Sequence, residues 1–390
     1  MRWTCAGCAL AVALGVVQPT HAITGDRPDF RKLAQDVYAY VGKLNDANAL
    51  AIVTAQGVVV VDTGNNTTDT REMLRHIQSV TSAPVRYVVI TQNHGDHAGG
   101  TPLFSPPATV IVHERVVKQW AAMKPYQINA WRKRFAERTE ALESASPADA
   151  AVTFNDRLTL HLGGTEIQLI YVDDPYNPGD VAVWLPKEGV LHASMAGYVD
   201  RHPDIRPDYS HGTTAGLLKQ LEAYIALKPR IVVPAHGPVG GVEALEAMVD
   251  YLLLARRTVR GLMDERLALP AIEARFGMKE YSDWDRAEHL PWMADTIYRE
   301  LQGLGPQTIE VTERRTTGVV SKAVQDGRFV TVTAIDGHDV LLRITADSDV
   351  EGVADRTQVR PGMKVSALYQ VPKDVVPALG YDVLEFVIAP

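Results

Sequence analysis

The sequence predicts a layered α/β protein followed by a small all-β unit. Three observations predict it. Strand, helix and strand alternate from Val37 to His113, and the alternation resumes between Leu158 and Leu301. Beyond Gly303-Leu304-Gly305-Pro306 nearly every segment alternates like a strand. A chain of 390 residues accommodates two such domains and a core of ordinary size.

The elements follow in order. Val37–Val41 and Ala49–Thr54 read as short strands, and Gly57–Asp62 (GVVVVD) as a buried strand running into a Gly-Asn turn. Its β-branched run fits a pleated, two-sided packing surface. Thr68–Val80 has helical spacing, with Met73, Leu74 and Ile77 on one face. Val85–Thr91 and Val110–His113 are further strands. From Glu114 to Ser146 the chain is charged and helical, with Trp120, Tyr126, Trp131 and Phe135 interspersed. This reads either as a helical pair packing its aromatics inward or as a cap giving a pocket an apolar wall. Strands follow at Leu158–Leu162, Glu166–Val172, Val181–Leu185, Val190–Ala193 and Ile231–Pro234. Helices are expected at Gly212–Leu227, at Val242–Arg257 with Leu245, Met248, Val249 and Leu252 in register, and at Trp292–Leu301. After the Gly-Pro boundary, Thr317–Val320, Phe329–Ala334, Val340–Ile344, Lys364–Gln370 and Leu384–Ile388 make five short strands, the pattern of a small OB-like barrel. The expected division is 1–22, 23–303 and 307–390.

Residues 1–22 have the form of a signal peptide. Arg2 is a basic head, Ala6–Val17 is almost wholly apolar, and Thr20-His21-Ala22 is a small-residue cleavage site. The apolar run is shorter than the roughly 20 residues a spanning helix needs. The expectation is an exported protein, periplasmic or secreted, that starts near Ile23 and has no membrane segment in its mature form. The only cysteines, Cys5 and Cys8, leave with the leader, so neither a disulfide scaffold nor cysteine-based zinc ligation is expected. A composition of 46% hydrophobic and 22% charged residues excludes a disordered chain. The net charge of −8 and the lack of a basic run argue against nucleic acid as a partner.

The segment that carries chemistry is Thr91-Gln92-Asn93-His94-Gly95-Asp96-His97-Ala98-Gly99-Gly100, directly after a strand. Two histidines and an aspartate within four residues on a glycine-loosened turn can converge on a cation. Imidazole and carboxylate are natural zinc ligands where thiolate is absent. Alone, the motif also fits a solvated polar turn.

Its context resembles the metallo-β-lactamase superfamily, whose signature is His-x-His-x-Asp-His after a strand. Val58-Val59-Val60-Val61-Asp62-Thr63-Gly64 resembles that family's strand ending in Asp-x-Gly. Asn177-Pro178-Gly179-Asp180 resembles the stretch after its third histidine, and Val232-Val233-Pro234-Ala235-His236-Gly237-Pro238 the strand delivering its last one. The likeness runs from about Asp36 to Leu301 and implies a four-layered αβ/βα sandwich. It also implies an altered metal site. The first histidine of the signature falls on Gln92, the second on His94 and the third on Tyr176; the bridging aspartate falls near Ser194 or Met195. Asp96, His97 and His236 correspond to the family's second zinc site and survive intact. His94 with Gln92 and Tyr176 is a weak set for the other, although some subclass B3 lactamases also carry glutamine at the first position. Asp173 and Asp174 lie near the missing ligand as substitutes.

The resemblance therefore implies a zinc-dependent hydrolase of a small-molecule substrate, holding about one zinc per chain, or two if the weaker set also binds. A metal-activated hydroxide at Asp96, His97 and His236 would attack the substrate. His94 would handle a proton or the substrate. Tyr176 would either donate to an oxyanion or simply pack. Asp62 would orient a ligand from behind, with Ser194 beside it. Lactams, lactones, thioesters, sulfate esters and aryl halides all lie within the superfamily's range. The alternative reading is a metal-poor, non-catalytic binding protein on the same fold. His113, His161 and His192, all in strands, read as ordinary packing or surface histidines, and His211 as bordering the pocket.

Overall fold

The computed structural model describes residues 29–42, 47–64, 67–105, 107–117, 150–172, 177, 179–205, 212–304, 311–324, 327, 329–344, 348–372 and 381–389. Two sheets form the first part. One has seven strands in sequential order: β1 (Asp29–Ala34), β2 (Val37–Val41), β3 (Ala49–Thr54), β4 (Gly57–Val61), β5 (Val85–Ile90), β6 (Thr109–His113) and β7 (Val152–Phe154). Pairing is antiparallel from β1 to β4 and parallel from β4 to β7. The second sheet has the order β12-β11-β10-β9-β8, built from β8 (Arg157–Leu162), β9 (Thr165–Tyr171), β10 (Val181–Leu185), β11 (Val190–His192) and β12 (Ile231–Val233).

The strand chemistry sets the layers. In β4 successive valines point to opposite faces. Val58 and Val60 join Met73 and Ile77 of helix α1 (Thr67–Val80), while Val59 and Val61 meet Leu169, Val183 and Val190 of the second sheet. Every one of these is fully or almost fully buried. At roughly 1.5–3 kcal/mol per buried aliphatic side chain, a one-residue slip of this strand would exchange two packed faces at once, so the register is firmly set. The outer face of the second sheet, through Ala182, Trp184, Leu191 and Val232, is covered by Leu217 and Leu221 and by Leu245, Met248 and Leu252. The result is helix, sheet, sheet, helix, the sandwich expected.

Several elements differ from expectation for identifiable reasons. The helix Glu243–Asp264 runs seven residues beyond Arg257 because Val259 and Leu262 continue its buried face while the arginines point outward. A helix at Leu269–Arg275 and the strands β1 and β7 carry too short or too polar a pattern to read. The aromatic segment Glu114–Ser146 lies largely outside the described residues, as do His211 and the leader.

Among the described residues the C-terminal part has six strands rather than five: β13 (Val311–Val324), β14 (Phe329–Ala334), β15 (Asp339–Arg343), β16 (Asp349–Glu351), β17 (Lys364–Pro372) and β18 (Tyr381–Ile388). Five close a ring, β15-β14-β13-β17-β18, because β15 also pairs with β18; the short β16 lies outside it, against β18. β13 is much longer than Thr317–Val320 because it pairs with β17 over its first part and β14 over its second. The two pairings overlap at Gly318, where a Cβ would meet the Thr333 carbonyl oxygen at 2.1 Å. No helix among the described residues is long and apolar enough to cross a membrane.

Candidate metal centre

The site gathers at the carboxyl ends of β4, β5, β11 and β12, the edge where open α/β sheets place their ligands. β5 ends at Ile90, and the following turn folds into a single helical turn, Gly95–Ala98. That turn is locked from below. Thr63 donates to the His97 carbonyl through its backbone N–H at 2.8 Å and its hydroxyl at 3.0 Å, and the Thr70 hydroxyl donates to the Thr63 carbonyl at 2.7 Å. Gly100 is required there, since a Cβ would lie 2.2 Å from both the Thr63 oxygen and the Thr70 hydroxyl.

Asp96, His97 and His236 converge, with one ligand atom of each within 4.8 Å of the others. Asp96 Oδ2 is 3.2 Å from His236 Nε2 and 3.8 Å from His97 Nε2. His97 Nε2 is buried with no hydrogen-bond partner. A buried ring nitrogen facing a carboxylate and a second imidazole is the donor set a divalent cation requires, so these residues fit a zinc ion. Electrostatics agree. Burial alone would raise the Asp96 pKa, but His97, His236 and His94 hold it far below the usual carboxylate range. Burial, with Arg201 nearby, pushes His236 down to about 4, so it is neutral and its lone pair is available. Burial opposes the charge on His97, but Asp62 and Asp96 outweigh it and raise its pKa to about 9. The metal-free pocket therefore carries a proton that a cation displaces.

Behind His97 stands Asp62, fully buried. Its carboxylate lies 2.7 Å from His97 Nδ1 and accepts the Thr91 N–H at 2.8 Å and the Thr91 hydroxyl at 2.7 Å. Ser194 donates to the Thr91 hydroxyl at 2.8 Å and so extends this network one step further. A hydrogen bond from Nδ1 to Asp62 leaves Nε2 as the metal-facing nitrogen. His192, which the sequence reads as an ordinary strand histidine, belongs here as well: its Nε2 is 3.7 Å from Asp62 and 3.1 Å from the Asn48 carbonyl. His113 sits against the Asn155 carbonyl at 2.6 Å, and His161 is exposed, as that plain reading expects.

Of the weaker set, His94 and Gln92 lie among the described residues. His94 is buried near Asp96 but lies outside the three-residue group. Gln92 is a brace, its Oε1 accepting the His94 N–H and the Asn177 side chain, each at 3.0 Å. Tyr176, Asp173 and Asp174 lie outside the described residues. Three nearby residues escape sequence reasoning. Tyr198 stacks on His236 with ring centres 5.8 Å apart, and Arg201 lies in the same loop. No spacing rule marks that loop. Asp180 is visible only as the end of the Asn-Pro-Gly-Asp match.

Asp180 is buried and accepts from Gln220 at 3.2 Å and the Met195 N–H at 3.4 Å. Burial pushes its pKa up to about 7 against these bonds. A carboxyl raised in the folded state contributes stability below its unfolded value near 4 that is lost as pH rises through 7. Asp180→Asn should therefore gain on the wild type as pH climbs from 4 to 8, by at most about 4 kcal/mol. Melting of both metal-free proteins across that range checks it; a difference flat in pH contradicts it.

A family model described as the metallo-beta-lactamase superfamily matches residues 42–236, half of the chain. The chain belongs to that superfamily. It is 24% identical over 245 residues to a linear primary-alkylsulfatase of Pseudomonas sp., covering 55% of this chain and 45% of that one. It is 24% identical over 225 residues to a type 2 metallo-beta-lactamase of Bacteroides fragilis, covering 55% and 81%. Among solved structures, a stereoselective inverting sec-alkylsulfatase from Pseudomonas sp. superposes with a TM-score of 0.55 at 16% identity, over 71% of this chain and 50% of that chain. The chain thus spans about half the length of the alkylsulfatases it matches.

Proposed function

We propose that this protein is an exported, zinc-dependent hydrolase of small molecules. It is a metallo-hydrolase of its superfamily, and the observation that carries the reading is the Asp96–His97–His236 group with His97 Nε2 buried and unpartnered. Zinc held by these ligands supplies Lewis acidity and activates water near neutral pH. The protein's own residues do the rest. Asp62 fixes the His97 ring, Tyr198 supports His236 from behind, and His94 stands beside Asp96 to take a proton or bond the substrate. Tyr176, which the sequence aligns with the family's third histidine, would donate to the developing oxyanion. Asp96 and His236 keep 9% and 6% of their surface exposed whereas His97 has none, so substrate approaches over Asp96 and His236.

Export rests on the basic head, apolar run and cleavage site of residues 1–22. One preparation tests both parts. Protein recovered from the exported fraction without chelator should begin near Ile23 and carry about one zinc per chain, because one complete three-ligand group is present. An intact leader refutes export. Absence of zinc, with no uptake when zinc is added, refutes the hydrolase in favour of a metal-poor binding protein.

A further inference from the structure

We propose that Asp180 is a positioning residue for the metal centre. As the un-ionised acid it heads a buried hydrogen-bonded chain that runs through Ser194 and Thr91 to Asp62, the carboxylate behind His97. The proposal rests on the metal-dependent reading above and deepens it.

Four separate segments supply the chain. Asp62 follows β4, Thr91 follows β5, Ser194 follows β11, and Asp180 stands just before β10. The Val181 N–H donates to the Thr91 carbonyl at 3.0 Å and so seats the start of β10 against the turn after β5. Ser194 has a left-handed φ of 48°, and its carbonyl accepts the Ala235 N–H at 3.0 Å. A glycine would be unstrained there, and what the serine adds is its hydroxyl. Asp62, Thr91, His97, Asp180 and Ser194 have no exposed surface, so bulk solvent reaches none of them.

Counting protons fixes the direction of each bond. The Asp62 carboxylate only accepts, so the Thr91 hydroxyl donates to it, at 2.7 Å. With that proton in use, the Thr91 oxygen accepts from the Ser194 hydroxyl at 2.8 Å. Ser194 also hydrogen-bonds the Asp180 side chain, and with its single proton turned to Thr91 it can only accept there. Asp180 must then be the donor, which the acid form alone can be. An ionised Asp180 would draw the Ser194 proton to itself and leave two hydroxyl oxygens 2.8 Å apart with no proton between them. The remaining contacts agree. Gln220 and the Met195 N–H donate to Asp180 at 3.2 and 3.4 Å, longer than the roughly 2.7–2.9 Å of a bond to a charged acceptor. Burial raises the Asp180 pKa to about 7 against the pull of Ser194, Gln220 and the charge on His97.

The chain acts on the metal through Asp62. It keeps the Thr91 hydroxyl aimed at the carboxylate that orients the His97 ring. Two substitutions at 180 separate this role from packing. Asparagine offers an N–H where the acid offers its O–H, whereas leucine has a similar shape and no donor. Ser194→Gly removes the middle link and relieves its backbone.

The test uses the full chain. The infrared difference between metal-free wild type and Asp180→Asn at mildly acid pH should show one un-ionised carboxyl stretch. Titration with zinc against a competing chelator should find Asp180→Leu and Ser194→Gly about tenfold weaker than the wild type, the lower end for outer partners because they act through Asp62. Asp180→Asn should match the wild type. No acid band in the wild type overturns the proposal, as does unchanged zinc affinity in both Asp180→Leu and Ser194→Gly. So does an Asp180→Asn protein as impaired as Asp180→Leu. Where Asp180→Leu fails to fold, Ser194→Gly decides alone. The hydrolase reading fails differently, as a wild type that takes up no zinc, while the infrared band still tests the chain.

Discussion

His97→Ala and His236→Ala should each empty the metal centre, whereas His94→Ala should keep it filled and lose turnover. Each of the first two changes removes one of three converging ligands. Zinc sites with four ligands bind with about 10–16 kcal/mol, so one ligand carries about 3–4 kcal/mol and its loss weakens binding on the order of 10²–10³-fold. The two losses should differ in their effect on the fold. His97→Ala also takes away the Nδ1 partner of fully buried Asp62, at 2.7 Å. It leaves part of that carboxylate unsatisfied, at roughly 1–3 kcal/mol. His236 also meets a carboxylate, Asp96 at 3.2 Å, but Asp96 keeps 9% of its surface exposed whereas Asp62 has none, so removal of His236 should lower the melting temperature less. Elemental analysis after dialysis, together with melting of the metal-free variants, checks both statements. If His94→Ala also empties the site, His94 is itself a ligand.

The site was legible where its chemistry is local. His94, Asp96 and His97 fall within one turn, and His236 ends a strand whose Val-Val-Pro-Ala-His pattern is distinctive, so the metal group could be read although about 140 residues separate its parts. The residues that complete it were not. Arg201 and Tyr198 reach the centre through a loop held by backbone bonds to His236 and Asp285, and such bonds leave no trace in residue type. His192 looks like any strand histidine until the sheets are stacked and bring its ring against Asp62. In the fold, strands buried on both faces were plain because their β-branched runs are continuous. The N-terminal half of β13 (VTERRTT) was not, because it exposes four charged or polar residues in succession and so lacks the alternation of a half-buried strand. The extra turns of the Glu243–Asp264 helix were hidden by exposed arginines alternating with the buried face.

Asp62 should prove as important as the ligands it supports, and two substitutions separate its roles. Its backbone has a left-handed φ of 59°, which asparagine tolerates and alanine does not. Asp62→Asn therefore changes the chemistry and leaves the turn alone. One of its two side-chain groups becomes a donor, facing a site where three donors already converge: the Thr91 N–H, the Thr91 hydroxyl and the His97 ring. The ring loses its carboxylate, its Nε2 becomes a weaker base, and zinc affinity should fall about 10–100-fold, the range found when such an outer partner is removed. The raised pKa of His97 should fall with it, because Asp62 is the foremost charge that lifts it against burial. That change is visible in the titration of the His97 ring by nuclear magnetic resonance in the metal-free protein, a signal that simple destabilisation does not move. Asp62→Ala adds backbone strain of about 1–2 kcal/mol and leaves buried donors without an acceptor, each at about 1–3 kcal/mol. Most of a domain's margin of about 5–15 kcal/mol could be consumed, so this variant should fold poorly or melt far below the wild type. An Asp62→Asn protein that binds zinc as tightly as the wild type, with the His97 titration unmoved, would show that Asp62 serves the turn and not the metal.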